Sequence, residues 1–331
     1  MKSFFFLFLA LLVMVSAANS QDIAKNKQEG EVVWYTNIPR GDVQELADAF
    51  ERVYPHLKMK SFVAEAGFLV ERLTIEMKSN KHLSDIIELP ADKVPALKDN
   101  DLIELYCSPE SKLYRPEHKD RDCYWTDAGA SYKVPAYNTQ QITGNSIPKD
   151  WGDFLDPRWK NQISLPVSNM LIIYPGFIQR WGREKARKYL TRLVENGVVW
   201  EVRGQSILPK LVAGEISLTS VSHNLIEAQK KKGAPVDWVN TARPIVSQMQ
   251  VVSLSRKAPN REAARLFIDF LLSKKGQEIK MQQARISGRS DMSCPLKKVD
   301  CRKLDVLVVQ PPRSLADFLE IQNELRKIIR Q

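Results

Sequence analysis

The sequence lacks any hydrophobic run long enough to cross a membrane. Its longest apolar run, residues 4–15, contains 12 residues, whereas a membrane-spanning helix needs about 20. The run follows Lys2 and precedes the small residues of SAANSQ, which is the pattern of a secretory signal peptide. We therefore predict a signal peptide over residues 1–20, cleaved after Ser20, Ala17 or Ala18, with an uncleaved membrane anchor as the alternative.

The sequence also lacks the short motifs of common catalytic sites. No GxSxG, HExxH or phosphate-binding P-loop is present. Histidine is scarce, with only His56, His82, His118 and His223, and three of these lie in predicted surface loops or turns. Because an enzyme needs a nucleophile with a base, a metal cluster or a paired acid and base, we expect no catalysis and no cofactor.

Cysteine is also rare, with four residues: Cys107, Cys123, Cys294 and Cys301. No CxxC motif and no cluster of cysteine with histidine occurs, so a zinc site is not expected. In an exported chain an even number of cysteines favours disulfides, and four cysteines allow three pairings. The pairing of nearest neighbours, Cys107 with Cys123 and Cys294 with Cys301, closes two short loops, but spacing alone does not select it. No cysteine lies near the predicted cleavage site, so lipid anchoring is not expected.

Basic residues outnumber acidic ones, giving a formal net charge of +10. The excess is scattered along the chain, and no basic patch is interleaved with aromatic residues as in single-strand nucleic-acid binders. We therefore expect no nucleic-acid partner. A basic balance of this kind favours an anionic ligand or an anionic membrane surface.

Strand and helix patterns alternate in the first third of the chain. GEVVWYTN, LKMKSFV and SDIIELP predict strands, and the segments between them carry apolar residues at helical spacing. Asp42, with Glu45 three residues later, predicts a capped start for the first helix. Alternating strands and helices of this length predict βαβ units on a mostly parallel sheet.

The same alternation begins again at QISLPV, which predicts a second α/β lobe. Two extended segments, GASYKVPAYN and RPIVSQMQVVSLSR, are expected to link the lobes as a two-strand hinge. We predict a first lobe of residues 21–128 plus 247–331, including a last helix over 314–330, and a second lobe of residues 129–246. The fold class is α/β, with two mostly parallel sheets flanked by helices. Ligands bind at the carboxyl ends of strands in such folds.

Four segments together resemble a known family. They are EVVWYTN, DFLDPRWKNQISLP, LVAGEISLTSVSHN and NREAARLFIDFLLSKKGQEI. In order and spacing they are similar to the periplasmic solute-binding proteins of ABC importers, of the two-lobed class II type that includes the ferric-ion-binding proteins. The resemblance implies a monomer in the periplasm that closes on a small solute and delivers it to an ABC permease in the inner membrane.

The iron ligands of the ferric-ion-binding proteins have poor counterparts here. Their pair of adjacent tyrosines matches Asn224 and Leu225, and Ile38, Pro39 and Arg40 occupy the loop that carries their histidine. A leucine cannot ligate a metal, and an amide oxygen is a weak ligand for Fe³⁺. We therefore expect no metal by the usual ligands. Glu88, Tyr35 and Tyr132 are the substitute ligands that would serve if iron were bound.

Polar residues at predicted helix starts favour an anion instead, because helix N-termini carry partial positive charge and free N–H donors. Two arginines, Arg40 and Arg203, add fixed cations with a bidentate fork. Tyr35, Tyr132 and Trp34 are expected to supply apolar walls. The expected ligand-binding residues are Asn37, Arg40, Glu88, Tyr132, Ser168, Asn169, Arg203, Gln205, Ser206, Ser222, His223 and Asn224.

Each of these residues also has a purely structural interpretation. Serine and asparagine before a helix are usually caps, Arg40 can be solvent-exposed, and His223 can be a buried structural histidine. The leading hypothesis is a periplasmic protein that binds an organic acid, phosphate ester, phosphonate or sulfonate between its lobes. The alternatives are a ferric-ion-binding protein with substitute ligands, and a sensor or adaptor that presents the same solute to a membrane receptor.

Overall fold

A computed structural model describes residues 29–201, 204–296 and 299–330. The predicted signal peptide, residues 1–20, lies outside the described residues. The strands are β1 (Glu31–Thr36), β2 (Lys58–Val63), β3 (Ile86–Pro90), β4 (Ile103–Glu104), β5 (Thr126–Asn138), β6 (Ile163–Pro166), β7 (Val199–Glu201), β8 (Leu218–Ser222), β9 (Val236–Trp238), β10 (Ile245–Ser255) and β11 (Val306–Val308). The helices are α1 (Arg40–Val53), α2 (Ala66–Lys78), α3 (Val94–Asp99), α4 (Val167–Trp181), α5 (Arg183–Glu195), α6 (Gly204–Ala213), α7 (His223–Lys231), α8 (Arg261–Leu272), α9 (Lys274–Gln282) and α10 (Leu315–Ile329). Over these ranges, none of the helices combines the length and the hydrophobicity that a membrane span requires.

The first lobe is built on β1, which pairs in parallel with β2 on one side and β3 on the other. The predicted apolar face of α1 is buried against this sheet, with Phe50 packed edge-on against Phe267 of α8. The predicted cap at Asp42 is wrong. The helix begins at Arg40 after Pro39, and Asp42 lies within its first turn, because proline already fixes the backbone dihedral that a helix start requires.

The second lobe repeats this arrangement around β6, which pairs in parallel with β7 and β8. Its core lies under α4 and α5, where Trp151, Phe177 and Tyr189 pack edge to face. Helix α7 ends just before Gly233, which lies in the left-handed region at φ +81°. At this end of the helix, Lys230 Nζ lies 2.7 Å from Asp237 Oδ1.

Two long antiparallel strands, β5 and β10, connect the lobes. β10 also pairs with β3 of the first lobe, and β5 pairs with β8 of the second. The strand order is β2-β1-β3-β10-β5-β8-β6-β7. The predicted α/β fold and two-strand hinge are thereby confirmed, with one difference: the two half-sheets form one continuous mixed sheet, because β10 bonds to the first half, β5 bonds to the second half, and the two hinge strands bond to each other.

The C-terminal segment, residues 305–330, crosses between the lobes and is called the strap below. β11 extends the sheet by pairing in parallel with the start of β10. Helix α10 then packs on the second lobe, where Leu325 and Ile328 join the same hydrophobic core as Phe177. The predicted lobe boundaries assign this helix to the first lobe, and the apolar face of α10 is the reason for the difference.

We expect Leu325→Ala to lower the free energy of unfolding by about 2 to 4 kcal/mol, because Leu325 is fully buried and its removal leaves a cavity. Urea denaturation followed by circular dichroism measures the change. Leu319, which is 43% exposed on the same helix, is the matched control and should change the midpoint little. Equal midpoints for the two variants would mean that α10 is not docked on the second lobe.

Each cysteine forms a disulfide with its nearest neighbour in the sequence: Cys107 is bonded to Cys123, and Cys294 is bonded to Cys301. The Cα atoms of the two pairs are 5.0 Å and 6.2 Å apart. This is the nearest-neighbour pairing among the three that the sequence allowed. One disulfide closes a short loop in the first lobe, and the other closes a short loop in the segment before the strap.

Candidate functional site

A cavity of about 650 Å³ lies between the two lobes and is called the cleft below. Its walls include the residues at or just after the carboxyl ends of β1, β2 and β3 in the first lobe and of β6 and β8 in the second. The hinge contributes Lys133 from β5 and Gln248 from β10. This position, outside the carboxyl ends of parallel strands, is where open α/β sheets bind ligands.

Lys133 is the most unusual group in the cleft. Its side chain is nearly buried, and its Nζ donates a hydrogen bond of 2.7 Å to Ser222 Oγ. Within the described part of the chain, no carboxylate lies within ion-pair distance of it. Burial, followed by the nearby Arg285 guanidinium, lowers the pKa of Lys133 from 10.5 to about 7. A buried cation with a single neutral partner is a favourable position for an anion.

Of the four helices of nine or more residues that begin at the cleft, three have no N-cap side chain bonded to their first N–H groups. They are α1 after Pro39, α4 after Pro166 and α7 after Ser222. The first N–H groups of a helix have no partner within the helix and carry partial positive charge. The fourth helix start, that of α2, differs because the Glu65 side chain accepts from Gly67 N–H. The three uncapped starts leave donors for a ligand in the same cavity as Lys133.

Four of the predicted ligand-binding residues line the cleft together: Asn37, Ser168, Asn169 and Ser222. The Asn37 Oδ1 atom accepts from Gln250, which leaves the Asn37 amide hydrogens as donors. Asn169 donates to the Ser220 carbonyl at 2.7 Å, which leaves its oxygen as an acceptor. With Ser168 and Ser222, these groups can satisfy both the oxygens and the hydroxyl groups of a small polar solute.

The first-lobe wall carries two acidic residues, Glu65 and Asp92. Asp92 is paired with Lys93 at 2.8 Å, and Glu65 is engaged as the cap of α2. The first-lobe side of the cleft thus carries acceptors, Glu65 and Asp92, together with donors from Asn37 and Lys93, whereas the hinge and second-lobe side carries Lys133 and hydroxyl groups.

Glu88, Tyr132 and His223 are not on the cleft wall, contrary to expectation. Glu88 is fully buried and bonded to Lys280 Nζ at 2.6 Å. His223 Nδ1 accepts from the Tyr132 N–H at 2.9 Å, and burial lowers the pKa of His223 to about 3, so the ring is neutral. His223 therefore has the structural role that the sequence analysis gave as its alternative: it joins α7 to the hinge strand β5 by a hydrogen bond.

The remaining predicted ligand-binding residues either do not line the cleft or lie outside the described residues. Arg40 and Ser206 are exposed and Asn224 is half-buried, and none of the three lines the cleft. Arg203 lies outside the described residues, as does the side chain of Gln205. Trp34 belongs to the first-lobe core instead of the cleft.

The substitute iron ligands do not converge either. The Tyr35 hydroxyl donates to Glu76 in the first lobe, and burial raises the pKa of Tyr35 and of Tyr132 to about 12. A phenolate ligand must lose its proton, which these environments oppose. Across residues 29–201, 204–296 and 299–330, no three histidine, cysteine, aspartate or glutamate side chains form a cluster suited to a metal.

Sequence reasoning missed Lys133. The signal that could have revealed it is the single lysine within the otherwise uncharged hinge segment GASYKVPAYN. A charged residue is almost never buried in a strand unless something pairs with it.

The fold, hinge and cleft are those of the two-lobed periplasmic solute-binding proteins of ABC importers. Iron-bound HitA from Pseudomonas aeruginosa superposes with a TM-score of 0.77 at 20% identity, over 90% of this chain and 99% of that one. AfuA from Actinobacillus pleuropneumoniae, with fructose-6-phosphate bound, gives a TM-score of 0.74 at 22% identity, over 91% and 97%. The periplasmic binding protein P5PA gives 0.73 at 25% identity, over 91% and 98%.

The model of the family described as bacterial extracellular solute-binding protein matches residues 91–293. The chain belongs to this family. An uncharacterized protein of Haemophilus influenzae is 28% identical over 153 residues, which are 44% of this chain and 44% of that protein. The match thus spans less than half the length of that curated relative.

Proposed function

We propose that this protein captures a small anionic solute in the cleft and presents it to an ABC permease. The observation that carries the proposal is Lys133, a buried cation in the cavity wall whose one hydrogen-bond partner among the described residues is a serine hydroxyl. Holding a buried cation without a counter-charge costs free energy. An anion bound in the cleft would remove that cost, so the desolvated charge of Lys133 favours anion binding.

The hydrogen-bond donors of the cleft support the same ligand class. The uncapped starts of α4 and α7 lie beside Ser168 and Ser222. Backbone N–H groups at helix starts and hydroxyl groups are the usual donors to carboxylate, phosphate and sulfonate oxygens. The solute expected here is an organic acid, phosphate ester, phosphonate or sulfonate.

Closure of the lobes is the expected response to the ligand. The first lobe supplies Asn37 and the second supplies Ser168, so a solute that contacts both stabilises the closed arrangement. The long strands β5 and β10 would absorb the rotation. Export through the predicted signal peptide, residues 1–20, would place this closed form where an inner-membrane permease can recognise it.

A thermal-shift panel tests the proposal against iron binding. The panel contains sulfate, phosphate, glycerol 3-phosphate and citrate at millimolar concentration, ferric citrate, and sodium chloride at matched ionic strength. A ligand at about 100 times its Kd stabilises the native state by about 2.7 kcal/mol, so at least one iron-free anion should raise the Tm by about 5 °C. A shift by ferric citrate alone, with a visible phenolate-to-iron band, would support the ferric alternative. If none of the iron-free anions has an effect, the proposal is contradicted.

A further inference from the structure

A second cavity, of about 570 Å³, lies beside the cleft and is called the chamber below. It is enclosed by the strap on one side and by α4 and the middle of β10 on the other. Both lobes and the hinge therefore contribute to it. It borders the solute site and shares Arg183 and Glu320 with the outer surface formed by α5 and α10.

The chamber is walled mainly by apolar side chains: Pro175, Ile178, Met249, Val309, Phe318 and Ile321. Its lining has two basic residues: Arg313, which is exposed, and Arg183, whose Nη1 lies 2.7 Å from Glu320 and 2.9 Å from Glu324. A cavity with such walls holds apolar groups better than water, because water needs two to four polar partners.

The strap that covers the chamber is held at several points. β11 pairs with Ile245–Ser247 of the hinge, and Arg180 bonds Asp305 at 2.8 Å. Leu325 and Ile328 anchor its helix in the second-lobe core. On the first lobe, Gln310 donates to the Glu117 carbonyl at 2.9 Å. The strap is thus fixed to the hinge and to both lobes where it covers the chamber.

The chamber and the cleft share four lining residues: Asp92, Leu171, Ile172 and Gln248. They meet at the first two turns of α4, next to the helix start that faces the anion site. A ligand whose charged group lies at Lys133 can therefore extend past Leu171 into the apolar space under the strap.

We propose that the chamber is the second half of the ligand site and that the solute is an anion with an apolar body, such as an aromatic or branched aliphatic phosphate or carboxylate. This inference rests on the proposed function, because it places the charged end at Lys133. It adds a specificity element, since filling an apolar pocket discriminates between ligands that carry the same charged group.

Isothermal titration with matched pairs of anions tests the inference. Phenyl phosphate is compared with glycerol 3-phosphate, and benzoate with glycerate, so that charge is held constant while the body changes. In the wild-type protein the aromatic member of the binding pair should have a Kd at least about tenfold lower. Ile178→Trp and Ile321→Trp fill the chamber from opposite walls and should each abolish this preference while leaving the weaker member's affinity unchanged.

Leu319→Trp is the matched control, because Leu319 lies on α10 next to the chamber but is exposed and not part of its wall. It should retain the preference. Equal affinities within each pair, or a preference that survives both filling variants, would overturn the inference while leaving anion capture intact. If none of the four anions binds, the inference is overturned, and the thermal-shift panel described above decides whether anion capture stands.

Discussion

Replacing Lys133 by methionine is expected to weaken anion binding by about 100-fold or more and, at the same time, to stabilise the ligand-free protein. The loss of affinity follows because removal of one partner of a desolvated charge pair costs about 2 to 5 kcal/mol, with about 1.4 kcal/mol for each factor of ten. Lys133 supplies the only cation of the hinge wall of the cleft among the described residues.

The gain in stability follows from the pKa of Lys133, which burial lowers from 10.5 to about 7. A lysine with a depressed pKa in the native state binds fewer protons there than in the unfolded chain. Stability therefore rises with pH between about 7 and 10.5, and below pH 7 the full penalty, roughly 5 kcal/mol, remains. Methionine removes that penalty. It also removes the hydrogen bond from Lys133 to Ser222, which offsets part of the gain, so we expect the variant to be about 1 to 3 kcal/mol more stable than the wild type at pH 6.

Titration of sulfate by calorimetry and urea denaturation at pH 6 measure the two effects. Lys232→Gln is the control, because Lys232 is an exposed lysine at the far end of α7 and its loss changes net charge equally. A Lys133→Met variant that binds sulfate as well as Lys232→Gln does would show that the anion site lies elsewhere.

Lys280→Ala is expected to have the largest effect on stability. Lys280 and Glu88 form an ion pair of 2.6 Å in which both side chains are at most 2% exposed. Burial raises the pKa of Glu88 and lowers the pKa of Lys280, and the largest opposing effect on each group is the charge of the other. Removing one partner of such a pair typically costs about 3 to 5 kcal/mol.

A double variant separates the loss of the pair from the loss of packing. Glu88→Gln combined with Lys280→Met removes both charges while it retains most of the volume, and it should recover most of the stability lost in Lys280→Ala. Because Glu88 is not on the cleft wall, the double variant should also bind sulfate like the wild type. If Lys280→Ala is as stable as the wild type, the buried ion pair does not stabilise the fold. If the double variant binds sulfate more weakly than the wild type, Glu88 is part of the ligand site after all.

The lobes were predictable because their information is local. Apolar residues at helical spacing in α1 and the continuous apolar run of β3 determine which face of each element is buried. The cleft residues Asn37, Ser168, Asn169 and Ser222 were predictable for a similar reason, since each lies at or just after a strand whose end was evident from the sequence.

The residues that sequence reasoning misplaced depend on distant parts of the chain. Glu88 meets a lysine 192 positions away, and no local pattern reveals that pairing. Lys133 faces the cleft because β5 pairs with β8 in a register that sets it opposite Ser222. Helix α10 shows a clear amphipathic pattern, but the pattern does not say which lobe its apolar face meets.

The most direct test of the account is the number of protons taken up when sulfate binds at pH 8. Sulfate keeps its charge at this pH, and His223, with a pKa of about 3, stays neutral. The charged groups that act on Lys133 are Arg285 and Asp92. Free Lys133, with a pKa of about 7, is mostly neutral at pH 8, and a bound anion should return its proton.

Calorimetry at pH 8 in two buffers of different ionisation enthalpy gives that number. We expect uptake of about one proton for each sulfate bound by the wild-type protein and none in Lys133→Met at the concentrations where it still binds. Sulfate binding without proton uptake in the wild type would contradict the claim that the cleft holds its solute through Lys133.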